Sequence, residues 1–200
     1  MQIGIFFCSY IMEIKVAIQG IQGSFHHQVA HRYFGEAIGL DECVTFRDVV
    51  TSLKTNQSDK AIMAIENSIA GAILPNYALI DSYDLHIIGE HFSDIHMNLM
   101  VFPGQTIEEI QEVHSHPIAL LQCANFFSQY PHIKLVESSD TAIAAKRIQE
   151  NQLKGIGALG GPVAAEIYNL EIIANGIHTV KSNKTRFVVL KASNKEIPKD

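Results

Sequence analysis

From Lys15 onward, short β-branched runs alternate with stretches of helical period, and no other feature constrains the chain as tightly. Extended runs separated by amphipathic helices return to a common sheet by crossover, so the pattern predicts an α/β fold built on a largely parallel sheet. Strands are predicted over 15–18, 42–46, 61–65, 85–89, 98–102, 133–137, 155–159, 171–174 and 186–191, enough for two sheets. Helices are predicted to begin near Ser24, Arg47, Gly71, Pro117, Ser139 and Pro162, several opened by a Ser N-cap, an early Pro or an Asp in the first turn. No flexible linker separates these units, so a division into lobes has to arise where the chain crosses over, near 90–95 and 181–185.

Two hundred residues form one large domain or two small lobes with an adequate core. The net charge of −6, with no basic run, removes the phosphate attraction on which nucleic-acid binding rests. Cys8, Cys43 and Cys123 are scattered, odd in number and outside any CxxC spacing, which fits free thiols in a cytoplasmic protein. The apolar run from Ile3 to Met12 is about half the roughly 20 residues a membrane span requires and lacks a preceding Lys or Arg, so neither a span nor a signal peptide is expected. Residues 1–12 read as an extension, and residues 194–200 as a tail.

Ligands of open α/β sheets bind beyond the carboxyl ends of strands, so the strand-to-helix turns carry the functional information. Gly20-Ile21-Gln22-Gly23-Ser24-Phe25 is either a plain tight turn or a place where backbone and a helix N-terminus approach an anion; it is neither GxGxxG nor a P-loop. Glu66-Asn67-Ser68 gathers a carboxylate, an amide and a hydroxyl at one strand end, as a site or as helix caps. His114-Ser115-His116-Pro117 leads into an amphipathic helix over 118–127, in which Gln122 interrupts an apolar start and demands a partner. Asn183-Lys184-Thr185-Arg186-Phe187 feeds a buried strand, and Arg186 is either a ligand group or half of a surface pair. Of the ten histidines, His27 and His31 lie four apart and His114 and His116 could share a strand face. Two-His spacing is only half a zinc site and HExxH is absent, so no metal is expected and helix-surface histidines are the default. Nucleophilic catalysis lacks a GxSxG elbow, and Cys123 lies in an apolar helix.

Taken in order, these turns resemble the prephenate dehydratase family over nearly all of 15–190. The residues that carry the resemblance are Gly20 to Phe25, Ile65-Glu66-Asn67-Ser68 with Gly71, Ser115-His116-Pro117 with Gln122-Cys123, and Asn183 with Thr185-Arg186-Phe187. Ser139-Asp140-Thr141 and Tyr168-Asn169-Leu170 are smaller echoes. Ile21, His26-His27 and Ile118 depart from the family pattern at the pocket rim. The resemblance implies two α/β lobes like type 2 periplasmic binding proteins, with the active site in the cleft between residues 13–92 plus 184–193 and residues 93–183. It also implies a homodimer or homotetramer. Family members commonly carry a C-terminal ACT regulatory domain, which is expected to be absent from these 200 residues.

The implied reaction turns prephenate into phenylpyruvate, carbon dioxide and water without a cofactor. Its obstacle is hydroxide as a leaving group, which requires a hydrogen-bond donor at that oxygen. On this reading Thr185 is the donor, with Asn67, Ser115 and Gln122 as neutral groups orienting the dianion. Arg186 is expected to hold the pyruvyl carboxylate and Phe187 to pack beside the ring. Ser24, Glu66, Ser68, His116 and Asn183 complete the expected substrate contacts. A non-catalytic two-lobed module sensing an aromatic acid and a metal hydrolase are the rival readings, and arogenate is the alternative substrate.

Overall fold

The computed structural model describes residues 14–193; the extension 1–12, Cys8, Glu13 and the tail 194–200 fall outside the described residues. Strands and helices are numbered in chain order. The first sheet contains β1 (Ile14–Gln19), β2 (Ile38–Cys43), β3 (Lys60–Asn67), β4 (Gly71–Ala72), β5 (Leu85–Asp94) and β11 (Lys184–Ala192). Its order is β2-β1-β3-β11-β5, with β4 paired to β3. The second sheet contains β6 (Asn98–Val101), β7 (Glu112–Ser115), β8 (Lys134–Glu137), β9 (Ile156–Gly160) and β10 (Glu171–Ala174), in the order β10-β6-β9-β7-β8. The helices are α1 (Phe25–Phe34), α2 (Phe46–Lys54), α3 (Leu74–Ser82), α4 (Pro117–Gln122), α5 (Ala124–Phe127), α6 (Thr141–Glu150) and α7 (Pro162–Ile167).

The α/β class stands, but the sheets are mixed and not largely parallel. β11 runs antiparallel to both β3 and β5, and β6 runs antiparallel to β9 and β10. The reason is topological: β11 re-enters the first sheet from the other lobe without the crossover helix that parallel pairing needs. The strand predicted over 42–46 lies instead at Ile38–Cys43. Thr45 and Asp48 close a reciprocal capping box, Asp48 N donating to Thr45 Oγ1 at 3.1 Å and Thr45 N to Asp48 Oδ2 at 2.9 Å, and so assign 45–48 to the start of α2. The sequence reading missed β4 and β7, and the helix expected over 118–127 breaks at Cys123 into α4 and α5.

β3 shows why its sequence is almost continuously apolar. Ala61, Met63 and Ile65 enter one core with α2 residues Val49, Val50 and Leu53, whereas Ile62 and Ala64 enter a second core with Val29 and Ala30 of α1. A central strand covered on both faces has no solvent side on which to place polar residues. β11 obeys the same alternation, with Val188 and Leu190 in the first core and Phe187 and Val189 in the second.

The chain leaves the first sheet through residues 95–97 and returns through 175–183, and these two crossovers bind each other. Ile95 N donates to Asn183 O at 2.9 Å and Ile177 N to Met97 O at 2.8 Å. Met97 N also donates to Nδ1 of the buried His178 at 3.2 Å.

Candidate active site

A cleft of about 400 Å³ lies against the crossovers and draws its walls from both sheets. Ile95, Met97 and Asn183 line it from the crossovers, Asn67, Thr185 and Phe187 from the first sheet, and His116, Gln122, Asp140 and Thr141 from the other side. Its polar side is one chain of amides. Asn183 Nδ2 donates to Gln122 Oε1 at 3.0 Å, and Asn67 Nδ2 donates to Asn183 Oδ1 at 2.8 Å and to Thr185 Oγ1 at 2.9 Å. The orientation of Asn67 is fixed from behind, because its Oδ1 accepts from Ile69 N and Ala70 N, each at 3.0 Å. The Nδ2 group must therefore face Thr185. Thr185 Oγ1 already receives a hydrogen bond, so its own proton is available to an acceptor in the cleft. Gln122 Oε1 is likewise occupied, which leaves its Nε2 group as a further donor.

A β-bulge creates this arrangement. β3 and β11 are in register at Phe187 with Ala64 and again at Arg186 with Glu66, so Ile65 is an extra residue on β3. The insertion inverts the two-residue alternation beyond it. Asn67 consequently joins Ala64 on the cleft side, whereas unbroken alternation would have placed Glu66 there.

Several residues expected at the site lie elsewhere. Arg186, between Thr185 and Phe187, projects from the opposite face of β11, as strand alternation dictates. Its Nε donates to Glu90 Oε2 at 2.9 Å and its Nη2 lies 2.7 Å from the same oxygen; Glu66 is 3.9 Å away, and the guanidinium stacks 5.7 Å from the Phe92 ring centre. The carboxylate grip expected of Arg186 has no basis in this arrangement, and Glu66 shares its displacement. Ser115 is fully buried and donates to Leu159 O at 3.0 Å, which ties β7 to β9 away from the cleft. Ser68 accepts from Lys184 N at 2.9 Å and donates to Ser182 O at 3.2 Å, fastening the turn after β3 onto the start of β11.

Ser24, His116, Asn183 and Phe187 do line the cleft. Ser24 caps α1, its Oγ accepting from His27 N at 3.2 Å, and His116 caps α4, its Nδ1 accepting from Ile118 N at 3.3 Å. This leaves Nε2 of a neutral His116 as the protonated nitrogen.

Sequence reasoning missed His26 and Asp140. His26, named in the sequence only as a departure at the pocket rim with no role attached, is buried edge-on against Phe46 and Phe187 and accepts from Ala64 N through Nε2 at 3.3 Å. Burial lowers its pKa to about 4, so it stays neutral. Asp140 caps α6, its Oδ1 accepting from Ala142 N at 2.7 Å and Ile143 N at 3.2 Å. Its signal was the Ser139-Asp140-Thr141 echo, to which no role was attached.

His27 and His31 meet edge-on at 4.5 Å, whereas His114 pairs with Glu112 on β7 and His116 lies beyond the strand. No group of three or more potential metal ligands occurs among the described residues. No helix among them is long and apolar enough to cross a membrane.

Two α/β lobes with a mostly apolar cleft between them, crossed by one chain of neutral donors, have the form of a small-molecule site. The profile of the prephenate dehydratase family matches residues 16–195, and the chain belongs to that family. It is 32% identical to a bifunctional chorismate mutase/prephenate dehydratase of Buchnera aphidicola, over 97% of this chain and 52% of that protein. It is 36% identical to arogenate dehydratase 1 of Petunia hybrida, over 88% of this chain and 42% of that one. A prephenate dehydratase crystal structure from Arthrobacter aurescens superposes with a TM-score of 0.82 at 24% identity, covering 94% of this chain and 63% of the other, and shares the fold. The chain spans about half the length of the curated relatives it matches.

Proposed function

We propose that this chain catalyses the decarboxylating dehydration of prephenate to phenylpyruvate between two lobes that divide at the crossover after β5 and at the return before β11. The observation that carries the reading is the Gln122–Asn183–Asn67–Thr185 chain, which presents the Thr185 hydroxyl as a donor into an otherwise largely apolar cleft. In the reaction the bond from the ring to its carboxylate breaks, and its electron pair enters the ring. The ring–oxygen bond opposite breaks, its pair leaving on oxygen, and carbon dioxide and an aromatic ring remain. Negative charge therefore grows on the departing oxygen in the transition state. A fixed donor there lowers the barrier without a matching gain in ground-state binding. Hydroxide takes up a proton to become water, so the balance requires no cofactor.

The dianion meets Gln122, Thr185 and Nε2 of His116, with Asn67 held behind Thr185, together with the N-terminus of α1 behind Ser24. Arg186, paired with Glu90 on the other face of β11, is absent from this set, which leaves the pyruvyl carboxylate to neutral donors and a helix N-terminus. Phe187 and the neutral His26 form the apolar floor. The petunia relative brings in arogenate, the amino counterpart, as a second substrate, and the carboxylate of Asp140 at the cleft favours a substrate bearing an ammonium. Exposed Ile87, Ile88 and Phe92 on edge strand β5 support an assembly of copies, read as a homodimer or homotetramer and tested by light scattering. The buried free thiols of Cys43 and Cys123 support a reducing, cytoplasmic location.

The experiment mixes the protein with prephenate, and separately with arogenate, at neutral pH. Appearance of phenylpyruvate or phenylalanine is the expected result. Binding of either compound without turnover would instead make this a sensing module.

A further inference from the structure

The lobes meet at a second place besides their crossovers. The turn after β1 packs on α7, and both surfaces are bared by glycine at the contact. A Cβ on Gly23 would lie 3.1 Å from Ala164 Cα and 3.1 Å from Tyr168 Cε2, and one on Gly161 would lie 3.1 Å from Phe25 Cε1. Gly23 also has φ +87, which side-chain-bearing residues rarely adopt. Tyr168, the C-cap of α7, donates its hydroxyl to Gln22 O at 2.6 Å. Within the turn Ile21 O accepts from Ser24 N and Ser24 O from Gln28 N, whereas Gln22 O accepts from the second lobe through Tyr168. Among the described residues, the remaining polar links between the lobes run through the crossover residues 95–97 and 175–183.

The contact stands beside the cleft. Ser24 and Phe25, the next residues of the turn, line it, as do Asp140 and Thr141 of the facing lobe. Phe25 packs against the cores of both lobes. A substrate enclosed between two lobes needs them to part, and the joint that parts with least loss is one held by a single peripheral hydrogen bond over a glycine-bared surface. The crossovers, paired backbone to backbone, are its pivot.

We propose that the Tyr168 hydroxyl and the Gln22 carbonyl form a latch that holds the two lobes closed over the substrate, with Tyr168 as a positioning residue. Its kinetic readout rests on the dehydratase reading above; the latch itself does not. Burial and the nearby Glu42, Asp140 and Glu150 push the Tyr168 phenol up to about 12, so it remains a donor throughout the working pH range.

Tyr168→Phe keeps the ring against Gly23 and Ala164 and removes only the bond. A ligand that binds the closed form has its apparent affinity reduced by the fraction of protein not closed. The KM is therefore expected to rise about fivefold, the usual effect of one neutral hydrogen bond, with kcat within about twofold. Amide hydrogen exchange of the ligand-free variant is expected to speed up over 20–25 and 161–168 and to stay unchanged in β3. A variant with wild-type KM and wild-type exchange overturns the latch, as does one whose only change is a lower melting temperature. If the wild-type protein turns over neither prephenate nor arogenate, the dehydratase reading fails, and the exchange measurement alone decides the latch.

Discussion

Asn67 and Thr185 are register partners on antiparallel strands, and the amide of one donates to the hydroxyl of the other at 2.9 Å. The direction of that bond matters more than its length. Thr185 receives on its oxygen and so has its proton to give, and that asymmetry is what turns a weakly acidic alcohol into a directed donor.

Asn67→Asp is expected to reverse the bond. One carboxylate oxygen would still accept from Ile69 N and Ala70 N, while the other would draw the Thr185 proton toward itself and away from the cleft. A fall in kcat of about 10²-fold is expected, similar to the loss of a charge-stabilising donor. Steady-state kinetics on protein whose melting temperature has been checked provides the measurement.

Arg186→Ala is expected to leave KM for prephenate within a few-fold of wild type, because the guanidinium pairs with Glu90 on the far face of β11. The pair is partly exposed, and such pairs contribute little to stability. A large rise in KM in the same assay would show that Arg186 reaches the substrate.

His26 makes the fold sensitive to acid. Its pKa in the folded protein is about 4, below the unfolded value of 6.5, so the unfolded chain takes up a proton that the fold resists. The stabilisation is fully present above pH 6.5 and is lost as pH falls from there toward 4. Melting temperature is expected to drop across that window, and His26→Gln, which retains an acceptor for Ala64 N, is expected to flatten the drop.

The polar turns at strand ends were legible because they interrupt apolar patterning, and Asn67, Gln122, Asn183 and Thr185 all stand there. Which member of a turn faces the cleft was partly legible: in Thr185-Arg186-Phe187, strand alternation alone sends the middle residue to the other face. For Glu66 and Asn67 the same rule points the wrong way, because the bulge at Ile65 arises from how β3 meets a strand more than a hundred residues later. Parallel and antiparallel pairing were hidden for the same reason, since crossover helices are visible in a sequence and returning strands are not. The role of His26 beyond the pocket rim was hidden because its burial is supplied by Phe46 and Phe187, both distant in the chain.

The most direct test compares kcat for prephenate in the wild-type protein, Thr185→Ala and Thr185→Ser. If the hydroxyl assists the departing oxygen, the alanine variant loses about 10²- to 10³-fold and the serine variant retains much of the activity. An alanine variant that turns over at the wild-type rate would remove Thr185, and the amide chain behind it, from the chemistry.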